Sequence, residues 1–253
     1  MPVVAGLYDD ISDVYHLVYA DWEASIRRQG EALDGLLARA LGPGPHRVLD
    51  VACGIGTQSL GLAARGHDVR GSDLAPRAVE RAGREAELRG LAIELSVGDM
   101  RTCDTGRGEG FDAVIACDNS VPHLLSDEEI RAAFGAFHRS LRPGGLVLLS
   151  VRDYAQEAPP ATTLHPFGVR ETPDGRVSVF QVWDWDDDGK RYDFGMYFVR
   201  DRPDGGAEVL VSRSRYYAIT TDALSGLLTE AGFQSVERVD DVFFQPILLG
   251  SKA

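Results

Sequence analysis

The residues best suited to chemistry are acids and small side chains standing at the ends of short apolar runs. The first run is Arg47-Val-Leu-Asp-Val-Ala-Cys-Gly-Ile-Gly-Thr57. A buried-strand pattern passes Asp50 and Ala52 and turns at Gly54 and Gly56, before Leu60, Leu62 and Ala63 take up helical spacing. Strand, glycine turn and helix in that order bind the extended part of an adenosine-containing ligand. Glycines let main chain approach the ligand, and a helix start offers unpaired N–H groups. Asp50 just ahead of the turn would repel a pyrophosphate but can accept hydrogen bonds, directly or through water, from an ammonium group. The dinucleotide spacing G-x-G-x-x-G/A is also incomplete, because Ser59 stands where a third small apolar residue is needed. The competing account is that Gly54 and Gly56 only make a tight strand-to-helix turn.

Further acids and polar groups follow later runs. His67 to Asp73 ends on a carboxylate that can grip both ribose hydroxyls, or can cap the helix opening at Ala75-Pro76. Leu91 to Val97 leads into Gly98-Asp99-Met100, and Phe111 to Cys117 into Asp118-Asn119-Ser120 and Pro122-His123-Leu124. Leu146 to Val151 ends at Arg152-Asp153-Tyr154. Alternating strand and helix patterns of this kind specify an α/β fold with a doubly wound, mostly parallel sheet, whose functional groups gather outside the carboxyl ends of the strands.

Val48-Leu-Asp-Val-Ala-Cys-Gly-Ile-Gly56 resembles motif I of the class I S-adenosylmethionine-dependent methyltransferases. Phe111-Asp-Ala-Val-Ile-Ala-Cys-Asp-Asn-Ser-Val-Pro-His-Leu124 and Leu141-Arg-Pro-Gly-Gly-Leu-Val-Leu-Leu-Ser-Val-Arg-Asp-Tyr154 are similar to the glycine and glycine/sarcosine N-methyltransferases within that family. The resemblance implies a seven-stranded Rossmann-like sheet with an antiparallel β insert after the fifth strand. It also implies S-adenosyl-L-methionine as cofactor and S-adenosyl-L-homocysteine as product. With motif I it implies a cofactor set of Tyr8, Tyr15, Arg28, Asp50, Ala52, Gly54, Gly56, Asp73, Leu74, Gly98, Asp99, Met100, Asp118 and His123. Arg27 competes with Arg28, and the terminal aromatics can equally do no more than pin a helix to the core.

Asn119, Arg152, Tyr154 and Tyr197 are the substrate positions the resemblance implies, with Tyr8, Asn119, His123 and Arg152 closest to the chemistry. An arginine fork binds a carboxylate bidentately, and Arg152 in Arg-Asp-Tyr154 stands where the family holds an amino-acid carboxylate, although the mammalian-type pattern reads Arg-Asn-Tyr. Arg152 can instead pair with Asp153 or another acid. His123 can be a base, a substrate-orienting group or a hydrogen-bonded structural histidine.

A formal charge of −13 over 253 residues argues against a nucleic-acid partner and favours small molecules, cationic amines among them. No run of about eighteen apolar residues and no signal-peptide pattern occur, so no membrane partner and a soluble cytoplasmic enzyme are expected; a homo-oligomer is left open. Cys53, Cys103 and Cys117 lack metal spacing, and no metal is expected.

The elements that must position these groups divide the chain into four parts. Residues 1–46 read as a helical lid, with Trp22, Ile26, Leu33, Leu36, Leu37 and Ala40 forming one stripe between Asp21 and Leu41, preceded by an aromatic segment from Tyr8 to Tyr19. Residues 47–154 form the cofactor-binding core. In 155–217, Asp174-Gly175, Asp188-Gly189 and Asp204-Gly205 separate β-rich runs (Arg176 to Trp185, Arg191 to Val199, Ala207 to Tyr217), the pattern of an antiparallel meander. In 218–253 a helix capped at Thr221 and stopped by Gly232 precedes two closing strands, Phe233 to Val239 and Val242 to Leu249.

The expected activity is metal-free, in-line N-methylation of glycine, sarcosine or a related small amino acid or amine. The alternatives are an O- or C-methyltransferase of a secondary metabolite with His123 as base, a non-catalytic cofactor-binding regulator, and an NAD-dependent oxidoreductase.

Overall fold

A computed structural model describes residues 4–103, 110–156 and 162–253. Its main sheet has seven strands: β1 (Arg47–Asp50), β2 (Asp68–Asp73), β3 (Glu94–Val97), β4 (Phe111–Ala116), β5 (Leu141–Ser150), β10 (Phe233–Val239) and β11 (Ile247–Lys252). Their order is β10-β11-β5-β4-β1-β2-β3. The five strands from β5 to β3 run parallel, while β11 is antiparallel to both β5 and β10. The chain reverses direction across the sheet between β1 and β4, where open parallel sheets leave a crevice.

The helices are α1 (Val4–Ile11), α2 (Trp22–Leu41), α3 (Thr57–Ala63), α4 (Pro76–Leu88), α5 (Asp127–Ser140) and α6 (Thr221–Glu230). Asp21 caps α2 by accepting from Ala24 N at 2.8 Å, and Ser126 caps α5 by accepting from Glu129 N at 3.3 Å. The cap of α6 is Thr220, one residue ahead of the expected Thr221. Thr220 Oγ1 takes the Ala223 N–H, while the Thr221 hydroxyl takes a bond from Arg238 at 3.0 Å. α2 and α3 pack backbone to backbone, for a Cβ on Gly30 would lie 2.5 Å from the Gly61 carbonyl oxygen.

A second, antiparallel sheet comprises β6 (Thr162–Thr172), β7 (Gly175–Trp185), β8 (Arg191–Asp201) and β9 (Ala207–Tyr217). The three expected runs are there, with Gly175, Gly189 and Gly205 at positive φ in the connections. β6 escaped the sequence reading because Pro166 and Gly168 interrupt it; the register shifts between them, and Gly168 sits at φ 112. The last strand also begins later than expected, at Ile247, since 240–246 forms a turn ahead of it.

Alternate residues of the second sheet, among them Val179, Trp183, Tyr192, Phe194, Met196 and Tyr216, pack against Leu7 and Ile11 of α1 and against Val18 and Tyr154. The N-terminal segment thus lies between the two sheets, above the edge where the parallel strands end. Among the described residues, no helix is long and apolar enough to cross a membrane.

Candidate active site

Two cavities open at that edge. The first, about 270 Å³, is walled by Val51, Ala52, Gly54 and Ile55 after β1, Asp73 and Leu74 after β2, Gly98, Met100 and Arg101 after β3, and Asp118, Ser120 and His123 after β4. Tyr8, Tyr15 and Tyr19 cover it. Gly54 and Gly56 have φ of 51 and 95, a region that disfavours a Cβ, and Gly56 N closes the turn on Cys53 O at 2.7 Å. Asp73 accepts from Gly54 N at 2.8 Å and Ala75 N at 2.9 Å, and burial pushes its carboxyl up. Each of its oxygens retains acceptor capacity. Asp73 is not the cap of α4, which is Ala75, two residues further on.

Four expected cofactor residues do not line this cavity, the first being Gly56, which closes the turn through its bond to Cys53. Asp50 is 1% exposed and lies behind the glycine turn, accepting from Ser59 Oγ at 2.7 Å and Ala52 N at 3.3 Å. Burial raises its carboxyl to about 7 despite those bonds. Ser59, which spoils the dinucleotide spacing, is therefore this acid's partner. Asp99 pairs with Arg101 at 2.6 Å, and Arg101 continues to Glu129 at 2.7 Å. Burial alone would raise the Asp99 carboxyl, but the bonds from Arg101 hold it below the usual range. Arg28 also lies elsewhere, as described below.

His123 Nε2 is 2.9 Å from the Tyr8 hydroxyl, and its ring lies 4.2 Å from that of Tyr216. Burial pulls the imidazole down to about 3, so it is neutral near pH 7. Among the described residues, its buried Nδ1 and the buried Ser120 hydroxyl meet no hydrogen-bond partner. Tyr19 was not singled out in the sequence, yet it joins the lid to both banks of the cavity. Its hydroxyl donates to Asp118 Oδ2 at 3.2 Å and accepts from Thr57 Oγ1 at 3.5 Å, and Thr57 accepts the Trp22 indole N–H at 2.9 Å.

Residues 48–145 match a family model described as a methyltransferase domain. Those residues form a methyltransferase domain, and the fold is of class I. A glycine/sarcosine N-methyltransferase of Parasynechococcus marenigrum (strain WH8102) is 34% identical over 134 residues, 53% of this chain and 46% of that one. A dTDP-3-amino-3,4,6-trideoxy-alpha-D-glucopyranose N,N-dimethyltransferase of Streptomyces venezuelae is 33% identical over 140 residues, 55% of this chain and 56% of the relative. The chain thus spans about half the length of these relatives. In fold it is similar to the S-adenosylmethionine-bound amino pentose methyltransferase CalS10 of Micromonospora echinaspora, with a TM-score of 0.75 and 22% identity over 90% of this chain and 92% of that one.

Beside the methyltransferase domain's first cavity lies a larger chamber of about 710 Å³, bounded by the N-terminal segment, α2, the second sheet and the 244–246 turn. Arg28 opens onto this chamber rather than the first cavity, with a hydrogen bond to Ser25 Oγ at 3.5 Å. Arg27 lines neither. Arg152 lines the chamber too, its guanidinium 4.4 Å from the centre of the Trp183 ring and donating to the Tyr192 hydroxyl at 2.8 Å. Asn119 braces it: Oδ1 accepts from Arg152 N at 3.0 Å and Nδ2 donates to the Tyr154 hydroxyl at 2.8 Å. Tyr154 and Tyr192 share a hydrogen bond of 3.0 Å. Asn119 and Tyr154 therefore set the arginine in place.

Tyr197 is a correction, because it points to the opposite face of the second sheet, stacked on Phe180 at 5.0 Å, and lines neither cavity. One position of the inward-facing alternation, Gln181, was missed. It lines the chamber, and its Oε1 accepts the Trp183 indole N–H at 2.8 Å.

Proposed function

We propose that this protein transfers a methyl group from S-adenosylmethionine to the nitrogen of a small-molecule amine. The observation that carries the reading is the meeting of the two cavities at Tyr8, Tyr15, Tyr19 and Asp118. A sulfonium in the first cavity and a nucleophile in the second face each other across those side chains, the arrangement an in-line displacement requires. In the first cavity, Asp73 is the acceptor for the ribose hydroxyls, Leu74 and Met100 bound the adenine, and the glycine turn receives the methionine end. The nitrogen lone pair forms the N–C bond as the C–S bond breaks, and its electron pair returns to sulfur to leave a neutral thioether. The tyrosine cover holds water away from both reacting atoms.

His123 weighs against the O- and C-methyl alternatives. A phenol or carbon acid needs a base with a pKa near the working pH, and an imidazole drawn down to about 3 with its Nε2 tied to Tyr8 gives little help. Both relatives named above methylate nitrogen, by their names. Arg152 supports an acceptor with a carboxylate or other anionic group, in keeping with glycine or sarcosine. The chamber of about 710 Å³, however, falls within the roughly 300–1,000 Å³ typical of sites for drug-sized ligands, which suits an amine on a larger scaffold such as an aminosugar.

Incubation with methyl-deuterated S-adenosylmethionine and a pooled library of amines, amino acids and phenols tests the reading by mass spectrometry. The label is expected on nitrogen; label only on oxygen or carbon would overturn the N-methyl assignment. Tight cofactor binding with no turnover would favour a regulator.

A further inference from the structure

Among the described residues, only Tyr8, Tyr15, Tyr19 and Asp118 line both cavities. The methyl group must cross beside them. Burial pushes all three phenols well above their ordinary range, so none of them changes charge near neutral pH. Asp118 is the remaining titratable group at the crossing.

Its placement is built, not incidental. Asp118 and Asn119 follow β4 with φ of 56 and 61, two successive side-chain-bearing residues in the left-handed region. Such backbone persists only where its surroundings over-determine it. Here Asp118 N donates to Ser150 Oγ at 2.7 Å, Ser150 Oγ donates to Gln245 Oε1 at 3.0 Å, and Asn119 N donates to Ser150 O at 2.9 Å. The turn presents the carboxylate to the crossing, where Oδ2 takes the Tyr19 hydroxyl at 3.2 Å.

We infer that Asp118 recognises the acceptor as an ammonium ion and takes its proton. This rests on the N-methyl reading above. The proton passes from R–NH₃⁺ to the Asp118 carboxylate, leaving a neutral amine and a carboxylic acid. The nitrogen lone pair then forms the bond to the methyl carbon as the C–S pair returns to sulfur. The methylated ammonium leaves through the chamber, and Asp118 returns its proton to water there. An alcohol of the same shape brings no charge to this carboxylate, so the residue selects amines over hydroxyl isosteres. The groups around Asp118 are Tyr19 and Tyr15 from the lid, Tyr8 from α1, Tyr216 from β9, Cys117 before it and Arg152 after β5. Burial raises its carboxyl, and the Tyr19 bond and Arg152 oppose that rise.

The test uses the full chain saturated with S-adenosylhomocysteine, titrated with glycine against glycolate and with glucosamine against glucose. Each pair exchanges an amine for a hydroxyl. At least one amine is expected to bind about tenfold or more tighter than its partner, and Asp118→Asn is expected to erase that preference. Affinity of the variant for S-adenosylhomocysteine should stay within about threefold. Absence of any amine preference in the unaltered chain, or its survival in Asp118→Asn, overturns the inference. So does a variant that loses the cofactor product in parallel. With the acceptor identified by labelled methyl transfer, kcat/KM of Asp118→Asn should fall by about 100-fold or more near pH 7 and climb about tenfold per pH unit toward the amine pKa, because the free base must then come from solution. Asp118→Glu should recover part of the rate. A nitrogen-labelled product combined with an unchanged pH profile would sink the role of Asp118 alone, while a product labelled on oxygen would sink the N-methyl reading beneath it.

Discussion

Asp50 shows how a residue can be found for one reason and matter for another. Its position before the glycine turn made it the expected ammonium acceptor, but it faces inward and clamps the turn through Ala52 N and Ser59 Oγ. Strand periodicity says which side chains are buried and not whether a buried acid faces a ligand or the chain itself. An acid raised from 3.8 to about 7 is protonated in the fold at pH values where the unfolded chain is ionised. Its stabilising contribution is therefore complete below about pH 4 and lost as the pH climbs through about 7. Asp50→Asn should remove that loss, worth on the order of 3 to 4 kcal/mol across the window, so urea unfolding should show its advantage over the parent growing from about pH 5 to about pH 8. Ser59→Ala should do the reverse. It removes a charge-assisted bond of roughly 1.5–3 kcal/mol above about pH 8 and a weaker neutral one near pH 5. His123 contributes with the opposite sign, since its drop to about 3 adds stability present above about pH 6.5 and lost as the pH falls.

The place of Arg152 at the end of β5 was legible, whereas its support was not, for Trp183 and Tyr192 are distant in sequence and meet it only through the second sheet. A flat guanidinium can lie on the indole and donate to the phenol at once; an ammonium cannot do both. Arg152→Lys is expected to raise the acceptor KM about tenfold while leaving the S-adenosylmethionine KM within about twofold. Equal changes in both would remove its assignment to the acceptor.

At the scale of elements, the parallel core was readable because each strand is a short apolar run closed by a polar turn, and the meander because Gly175, Gly189 and Gly205 mark its connections. What composition concealed was β6, broken by Pro166 and Gly168, and the contact between α2 and α3. A glycine within a helix reads as a weak point until the facing backbone is known. Gly30 and Gly35 both lie in α2, yet a Cβ on Gly30 would strike the Gly61 carbonyl at 2.5 Å, while Gly35 is exposed with nothing within 4 Å. Gly35→Ala should therefore stabilise the protein by about 0.4–1 kcal/mol. Gly30→Ala should destabilise it by roughly 1–3 kcal/mol, as overpacking does, and weaken S-adenosylmethionine because α3 carries the glycine turn. Chemical denaturation and calorimetry of this pair would separate packing from propensity, and a common sign for the two substitutions would contradict the close approach.

At the scale of the whole molecule, the N-terminal segment makes one enclosure out of two cavities. Its position depends on contacts far from either ligand: Arg77 N donates to Asp9 Oδ1 at 2.8 Å, and Arg81 donates to Ser12 O at 3.0 Å and Asp13 O at 2.6 Å. Arg81 also lies 5.4 Å from the Trp22 ring, whose indole is tied to Thr57 beside the glycine turn. Because Tyr8, Tyr15 and Tyr19 line both spaces, loosening the segment should act on both ligands together, unlike a change confined to one wall. Arg81→Ala is expected to weaken S-adenosylhomocysteine and acceptor by comparable factors of about 3 to 10, and to speed amide exchange in residues 8–19. Leu74→Ala should affect the cofactor alone, as Arg152→Lys should affect the acceptor alone. Saturating S-adenosylhomocysteine at about 100 times its Kd stabilises the fold by about 2.7 kcal/mol, and the protection it confers should extend to the segment while leaving the far edge strand β10 of the main sheet unchanged. If amide exchange showed slowing around the glycine turn but none between Tyr8 and Tyr19, the segment would belong to the core packing and not to a cover that the cofactor holds shut.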